Sequence, residues 1–134
     1  MKRNGILNSD ISRVLSYLGH TDCICIGDCG LPIPDTTERI DLALAFGEPT
    51  FMHTLEIGAS DMKVEKIVLA EEIKTQNPTV LRQIEELFAG QNVEVEYVSH
   101  TELKKCTETC KAVIRTGETT PYANVILQAG CIFA

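Results

Sequence analysis

The sequence predicts an α/β domain in three layers, α/β/α, with a mostly parallel central sheet, over residues 1–134 as one domain. Three observations carry this. Short aliphatic runs of strand length recur at 23–27, 39–46, 66–70, 93–99, 112–115 and 125–130. Stretches with helical spacing and cap or stop residues stand between most of them. Alternation of this kind is the pattern of a parallel sheet covered on both faces. A chain of 134 residues suits one domain and can bury a core without disulfide or metal staples.

The elements follow in order. In "NSDISRVLSYLG", Asn8 or Ser9 caps a helix whose Ile11, Val14, Leu15 and Leu18 fall on one face. Gly19 is its expected stop, because the residue past a helix end often takes a left-handed backbone. "CICIG" (23–27) is a short buried strand. "DCGLPIPD" (28–35) is a loop, since Gly30, Pro32 and Pro34 interrupt any regular element. "RIDLALAF" (39–46) reads as a strand, and "TFMHTLEIGASDM" (50–62) as a helix that Gly58 weakens. A strand covers Lys66 to Ala70. "NPTVLRQIEELFAG" (77–90) is the clearest helix, with Asn77 as cap, Pro78 in the first turn and Gly90 at the end. "VEVEYVS" is a strand. Ser99, with Glu102 three residues later, makes a capping-box pattern that starts a helix with His100 in its first turn. "AVIR" and "VILQAG" are the last strands, joined by the loop "TGETTPYAN".

Composition narrows the function. The formal charge of −7 argues against a nucleic-acid partner, which needs a basic face, and against an anionic membrane surface. Trp is absent and aromatics are only 5%, so the core is mainly aliphatic. "MKRNGILNSD" has no apolar run of the kind a signal peptide needs. No stretch approaches the roughly 18–20 apolar residues of a membrane helix. The expectation is a cytoplasmic protein with reduced thiols.

In open α/β sheets ligands bind beyond the carboxyl ends of the strands. That rule selects Asp28 after "CICIG", His100 after "VEVEYVS", and Tyr122 and Asn124 in the last loop. Each has a plainer reading. Asp28 can bond the turn amides of "CGLP", and His100 can be a first-turn surface residue. His20 follows Gly19 and can serve as a helix C-terminal cation. His53 has no companion motif and reads as structural or exposed. Asp22 reads as a turn residue, Asp35 as a cap, and the carboxylates of "AEEIK" and "IEEL" as solvated charges.

The six cysteines invite a metal reading, but Cys23 and Cys25 lie inside an apolar run and no Cys-x-x-Cys stands in the chain. They read as small hydrophobes, with no metal site expected. Dinucleotide, Walker and nucleophile-elbow motifs are also missing, so no cofactor is expected. Two histidines, an aspartate, a tyrosine and an asparagine near candidate loops can bind a polyhydroxylated ligand and move protons. They do not name a sugar.

Taken together, "GILNSDISRVLSYLGHTD", "IGDCGLPIPD" and "VIRTGETTPYANVILQAG" resemble the D-ribose pyranase family of sugar mutarotases, which includes the L-fucose mutarotases. The resemblance covers essentially the whole chain. It implies an enzyme, without metal or cofactor, that interconverts the pyranose and furanose forms of D-ribose. It also implies a ring-based homo-oligomer, often a decamer. By motif position it implies that His20 is the proton donor, and that Asp28, His100, Tyr122, Ala123 and Asn124 bind the sugar. Asp28 is further expected to orient His20, with "CICIG" setting the distance between them. The same residues leave room for an L-fucose mutarotase or a sugar-binding protein without catalysis.

Overall fold

The computed structural model describes residues 1–133. In chain order it contains α1 (Ser9–Tyr17), β1 (Cys23–Gly27), β2 (Glu38–Asp41), α2 (Phe51–Ser60), β3 (Val64–Ala70), α3 (Ile73–Gln76), α4 (Pro78–Phe88), β4 (Glu94–Val98) and α5 (His100–Cys106). A 3-10 turn (Thr107–Thr109), β5 (Ala112–Arg115) and β6 (Val125–Ala129) complete it. The strands form one sheet in the order β2-β5-β1-β6-β3-β4.

Five strands run the same way. β6 runs against both of its neighbours, β1 and β3, while β1–β5, β2–β5 and β3–β4 pair parallel. The sheet is therefore mostly parallel, with one reversed strand near its centre. The reason is local. β5 ends and β6 begins at the same edge, joined only by residues 116–124. A parallel return needs a crossover of a dozen or more residues, usually a helix, and this loop has none.

Strand alternation sends the core to two faces. On one, Ile24, Ile26, Ile67, Leu69, Ile114, Val125 and Leu127 pack under Val14 of α1, Leu55 of α2 and Ile84 of α4. On the other, Cys25, Val113, Ile126 and Ala70 pack under Leu103 of α5 and Leu31. The three layers are thus unequal. Burying each Leu or Ile contributes about 1.5–3 kcal/mol. Most fully buried large side chains lie on the first face, so stability rests mainly there. Cys25 and Cys110 are buried in the thinner core. Burial raises the pKa of both thiols, that of Cys110 to about 12, which leaves them as protonated core groups.

Several expectations change in detail. The run 39–46 is a strand only over Glu38–Asp41, because its partner β5 ends at Arg115; the Leu42 amide, bonded to the Arg115 carbonyl, is the last contact. Helix α1 stops at Leu18, which is extended. The left-handed residue of the following turn is Thr21 (φ 73°), not Gly19. The short helix α3 was not expected. The caps at Asn8, Asn77 and Ser99 each accept the amide bond foreseen, and His53 is exposed on α2.

Candidate active site

The carboxyl edge of the sheet gathers five of the six expected residues. Asp28 leaves β1, His100 opens α5 directly after β4, and Tyr122, Ala123 and Asn124 lead into β6. Asn124 is the pivot. It is fully buried, and its Oδ1 accepts the Asp28 amide at 2.9 Å. Gly27 makes this approach possible: a Cβ there would stand 2.7 Å from Leu31 Cδ2 and 3.0 Å from Asn124 Oδ1. Tyr122 has a left-handed backbone (φ 57°), uncommon for a bulky residue and a form of strain that marks functional loops. Its ring meets His100 edge to face, with centroids 5.0 Å apart.

Two side-chain polar atoms are left buried without a partner among the described residues, and both lie in this cleft: His100 Nδ1 and Asn124 Nδ2. A buried polar atom without a bond costs about 1–3 kcal/mol, so the pair calls for a ligand or ordered solvent. Between them stands the Asp28 carboxyl. Burial raises its pKa, against the easing effects of the Gly30 amide, the nearby Asn124 amide, the Leu31 amide and the His100 ring. Its Oδ1 accepts the Gly30 amide at 3.0 Å, which is the turn role foreseen for it. The cleft therefore offers a carboxylate, an amide donor and an imidazole nitrogen to a small polar molecule.

His20 is elsewhere. It precedes β1 while Asp28 follows it, and the strand between them spans about 16 Å at the usual rise per residue. The expectation that Asp28 orients His20 therefore fails within one subunit: "CICIG" holds the two at opposite edges. At the amino edge His20 is half exposed, and its Nε2 lies 3.0 Å from Glu65 Oε2 on β3. The Glu65 Oε1 accepts the Gln128 amide of β6 at 2.7 Å.

Residues outside the expected site prove to hold the cleft. Glu72 of "AEEIK" accepts the His100 amide with both carboxylate oxygens at 3.1 Å. Asn77, beyond capping α4, donates from Nδ2 to Thr120 Oγ1 at 2.9 Å and to the Pro121 carbonyl at 2.8 Å, fixing the last loop. Glu118 accepts the first amide of α2, from Phe51, and the Thr120 hydroxyl. Arg115 ties the Cys29 carbonyl to Asp41. The one signal for these roles was position: Glu72 and Glu118 lie within three residues of the carboxyl ends of β3 and β5, and Arg115 ends β5.

Residues 1–132 match the RbsD / FucU transport protein family. D-ribose pyranases of Bacillus cytotoxicus and Bacillus mycoides are 53% and 54% identical over 133 residues, covering 99% of this chain and all of theirs. The structure of Bacillus subtilis RbsD complexed with D-ribose superposes with a TM-score of 0.95 at 52% identity, covering 99% of this chain and 100% of that one. The fucose mutarotase of Streptococcus pneumoniae, in complex with L-fucose, gives a TM-score of 0.81 at 19% identity over 94% of each chain, a likeness of fold alone.

Proposed function

This chain belongs to the RbsD / FucU transport protein family, and from that premise we propose that it is a D-ribose pyranase, an isomerase that interconverts β-D-ribopyranose and β-D-ribofuranose. One observation carries the reading. Two unpartnered buried polar atoms flank Asp28 in a chain 53% identical, end to end, to D-ribose pyranases. A sugar bristling with hydroxyls suits that set. Asp28 accepts a hydrogen bond from a sugar hydroxyl, Asn124 Nδ2 donates to a hydroxyl oxygen, and His100 and Tyr122 line the ring.

The chemistry follows from what the reaction needs. The pyranose opens when a proton reaches the ring oxygen and another leaves the anomeric hydroxyl. The open aldehyde then recloses through a different hydroxyl, and the transfers run backwards. Only protons move. A histidine can serve in both directions, and general acid–base catalysis contributes about 10²–10⁴-fold. We assign the proton at the ring oxygen to His20.

His20 and Asp28 end opposite edges of one sheet, so the working site is formed between copies of this chain. His20 of one subunit meets Asp28, His100, Tyr122 and Asn124 of another. A head-to-tail contact of this kind repeats around a closed ring, in keeping with the ring-based homo-oligomer, and decamer, that the sequence resemblance implies. A cytoplasmic location belongs to the same reading; no helix of the described residues is long and apolar enough to cross a membrane.

Saturation-transfer NMR on D-ribose, with and without protein, tests the activity. The expected result is faster exchange between pyranose and furanose signals in its presence. Exchange no faster than in buffer overturns the reading. Faster acceleration of L-fucose than of ribose overturns the choice of sugar.

A further inference from the structure

At the amino edge of the sheet His20 does not stand alone. It points one ring nitrogen, Nε2, at the Glu65 carboxylate 3.0 Å away. The other carboxylate oxygen is held by Gln128 at 2.7 Å. Three elements converge there: the turn before β1, the start of β3 and the end of β6. The backbone shares in the arrangement. The Thr21 amide bonds the Ala129 carbonyl, the Ala129 amide bonds the Asp22 carbonyl, and the Gly130 amide bonds the Lys63 carbonyl. Gly130 also leaves the room: a Cβ there would stand 3.0 Å from Glu65 Cβ and 3.3 Å from Glu65 Oε2.

We propose that Glu65 is the positioning residue for His20, and that Gln128 holds Glu65 in place for that task. The inference rests on the reading of His20 as proton donor. A carboxylate accepting Nε2–H fixes the ring and its tautomer, as an acidic partner does for a catalytic histidine. Nε2 is then occupied, and in the imidazolium form Nδ1 is the nitrogen that gives its proton to the ring oxygen as the C1–ring-oxygen bond breaks, that oxygen becoming a hydroxyl; on reclosure Nδ1 takes the proton of the hydroxyl that attacks C1. The bonds from Gln128 and His20 lower the pKa of the Glu65 carboxyl, so it is charged where the enzyme works. Ribose itself is bound by residues at the other edge, so Glu65 acts on turnover and not on affinity.

The test is the exchange rate at saturating and at low ribose for Glu65→Ala, Glu65→Gln and Gln128→Ala, with a thermal melt of each. Glu65→Ala is expected to lower the saturating rate about tenfold and leave KM within about twofold, since it removes an interaction that works only through the proton donor. Glu65→Gln, whose amide oxygen still accepts Nε2–H, and Gln128→Ala are expected to lose about threefold each. A Glu65→Ala protein at the wild-type rate overturns the inference. So does one whose loss lies in KM or in folding alone. His20→Ala separates the two readings. If it leaves exchange unchanged, His20 is not the donor. If it slows exchange while Glu65→Ala does not, only the role of Glu65 falls.

Discussion

The two edges of the sheet are built differently. At the carboxyl edge the Asp28 amide bonds Asn124 Oδ1, the Asp28 carboxyl accepts the Gly30 amide, the His100 amide bonds Glu72, and Asn77 holds the loop that carries Tyr122. Two of their polar atoms are sealed in without partners. At the amino edge His20 is half exposed and rests on a single carboxylate. In the proposed function one edge is the half-site that takes the sugar, and the other carries the proton donor that a neighbouring copy brings to it. The contrast teaches that the two sets of expected site residues lie at opposite edges of one subunit, so the proposed binding and proton-transfer roles can be separated by mutation.

The sharpest way to break that division is His20→Ala. It should cost about 10²–10⁴-fold in saturating exchange rate while ribose affinity, read by saturation-transfer titration, stays near wild type. A parallel loss of affinity would merge the two halves. Asn124→Ala should do the reverse. It removes a fully buried amide that holds Asp28. Ribose binding should weaken about tenfold or more, and denaturant unfolding should show a loss of about 2–3 kcal/mol. Asn77→Ala reaches the same half-site from behind, by removing a helix cap and the clasp on Pro121. A stability loss of about 1–2 kcal/mol is expected, with weaker ribose binding and no separate effect on the acid–base step.

Asp28→Asn sharpens the comparison through pH. Burial raises the Asp28 pKa, so the fold prefers the protonated carboxyl. The stability that preference contributes is present in acid and is lost as pH rises through the raised pKa. At neutral pH Asp28→Asn should therefore melt higher than wild type while binding ribose less well. In the wild type, ribose binding should weaken as pH falls through the same raised pKa. His53→Ala, exposed on α2 and bonded by its side chain to none of the expected site residues, should change stability by less than about 0.5 kcal/mol and leave exchange untouched.

Much of this was legible in the sequence, and the failures have common causes. The caps at Asn8, Asn77 and Ser99 and the turn bond of Asp28 are local, and local chemistry predicts them. The end of β2 depends on the length of β5, and the reversal of β6 depends on where β5 leaves the sheet; neither is written in its own segment. Glu72 meets His100 across 28 positions and Asn77 meets Thr120 across 43, so a charge or cap read alone hides the second role. The separation of His20 from Asp28 was within reach. A strand between two residues sets them at opposite ends, whatever the chemistry invites.

The central claim is that His20 of one copy works on sugar held by another. Refolding together equal amounts of His20→Ala and Asn124→Ala chains tests it directly. Read at ribose well below KM, His20→Ala alone should be nearly inactive and Asn124→Ala alone should run at about a tenth of the wild-type rate or less. Random mixing pairs an intact His20 with an intact Asn124 at about a quarter of head-to-tail junctions, so the mixture should recover exchange at about that fraction of wild type. Mixed oligomers that form on a sizing column and still show no recovered exchange would contradict it.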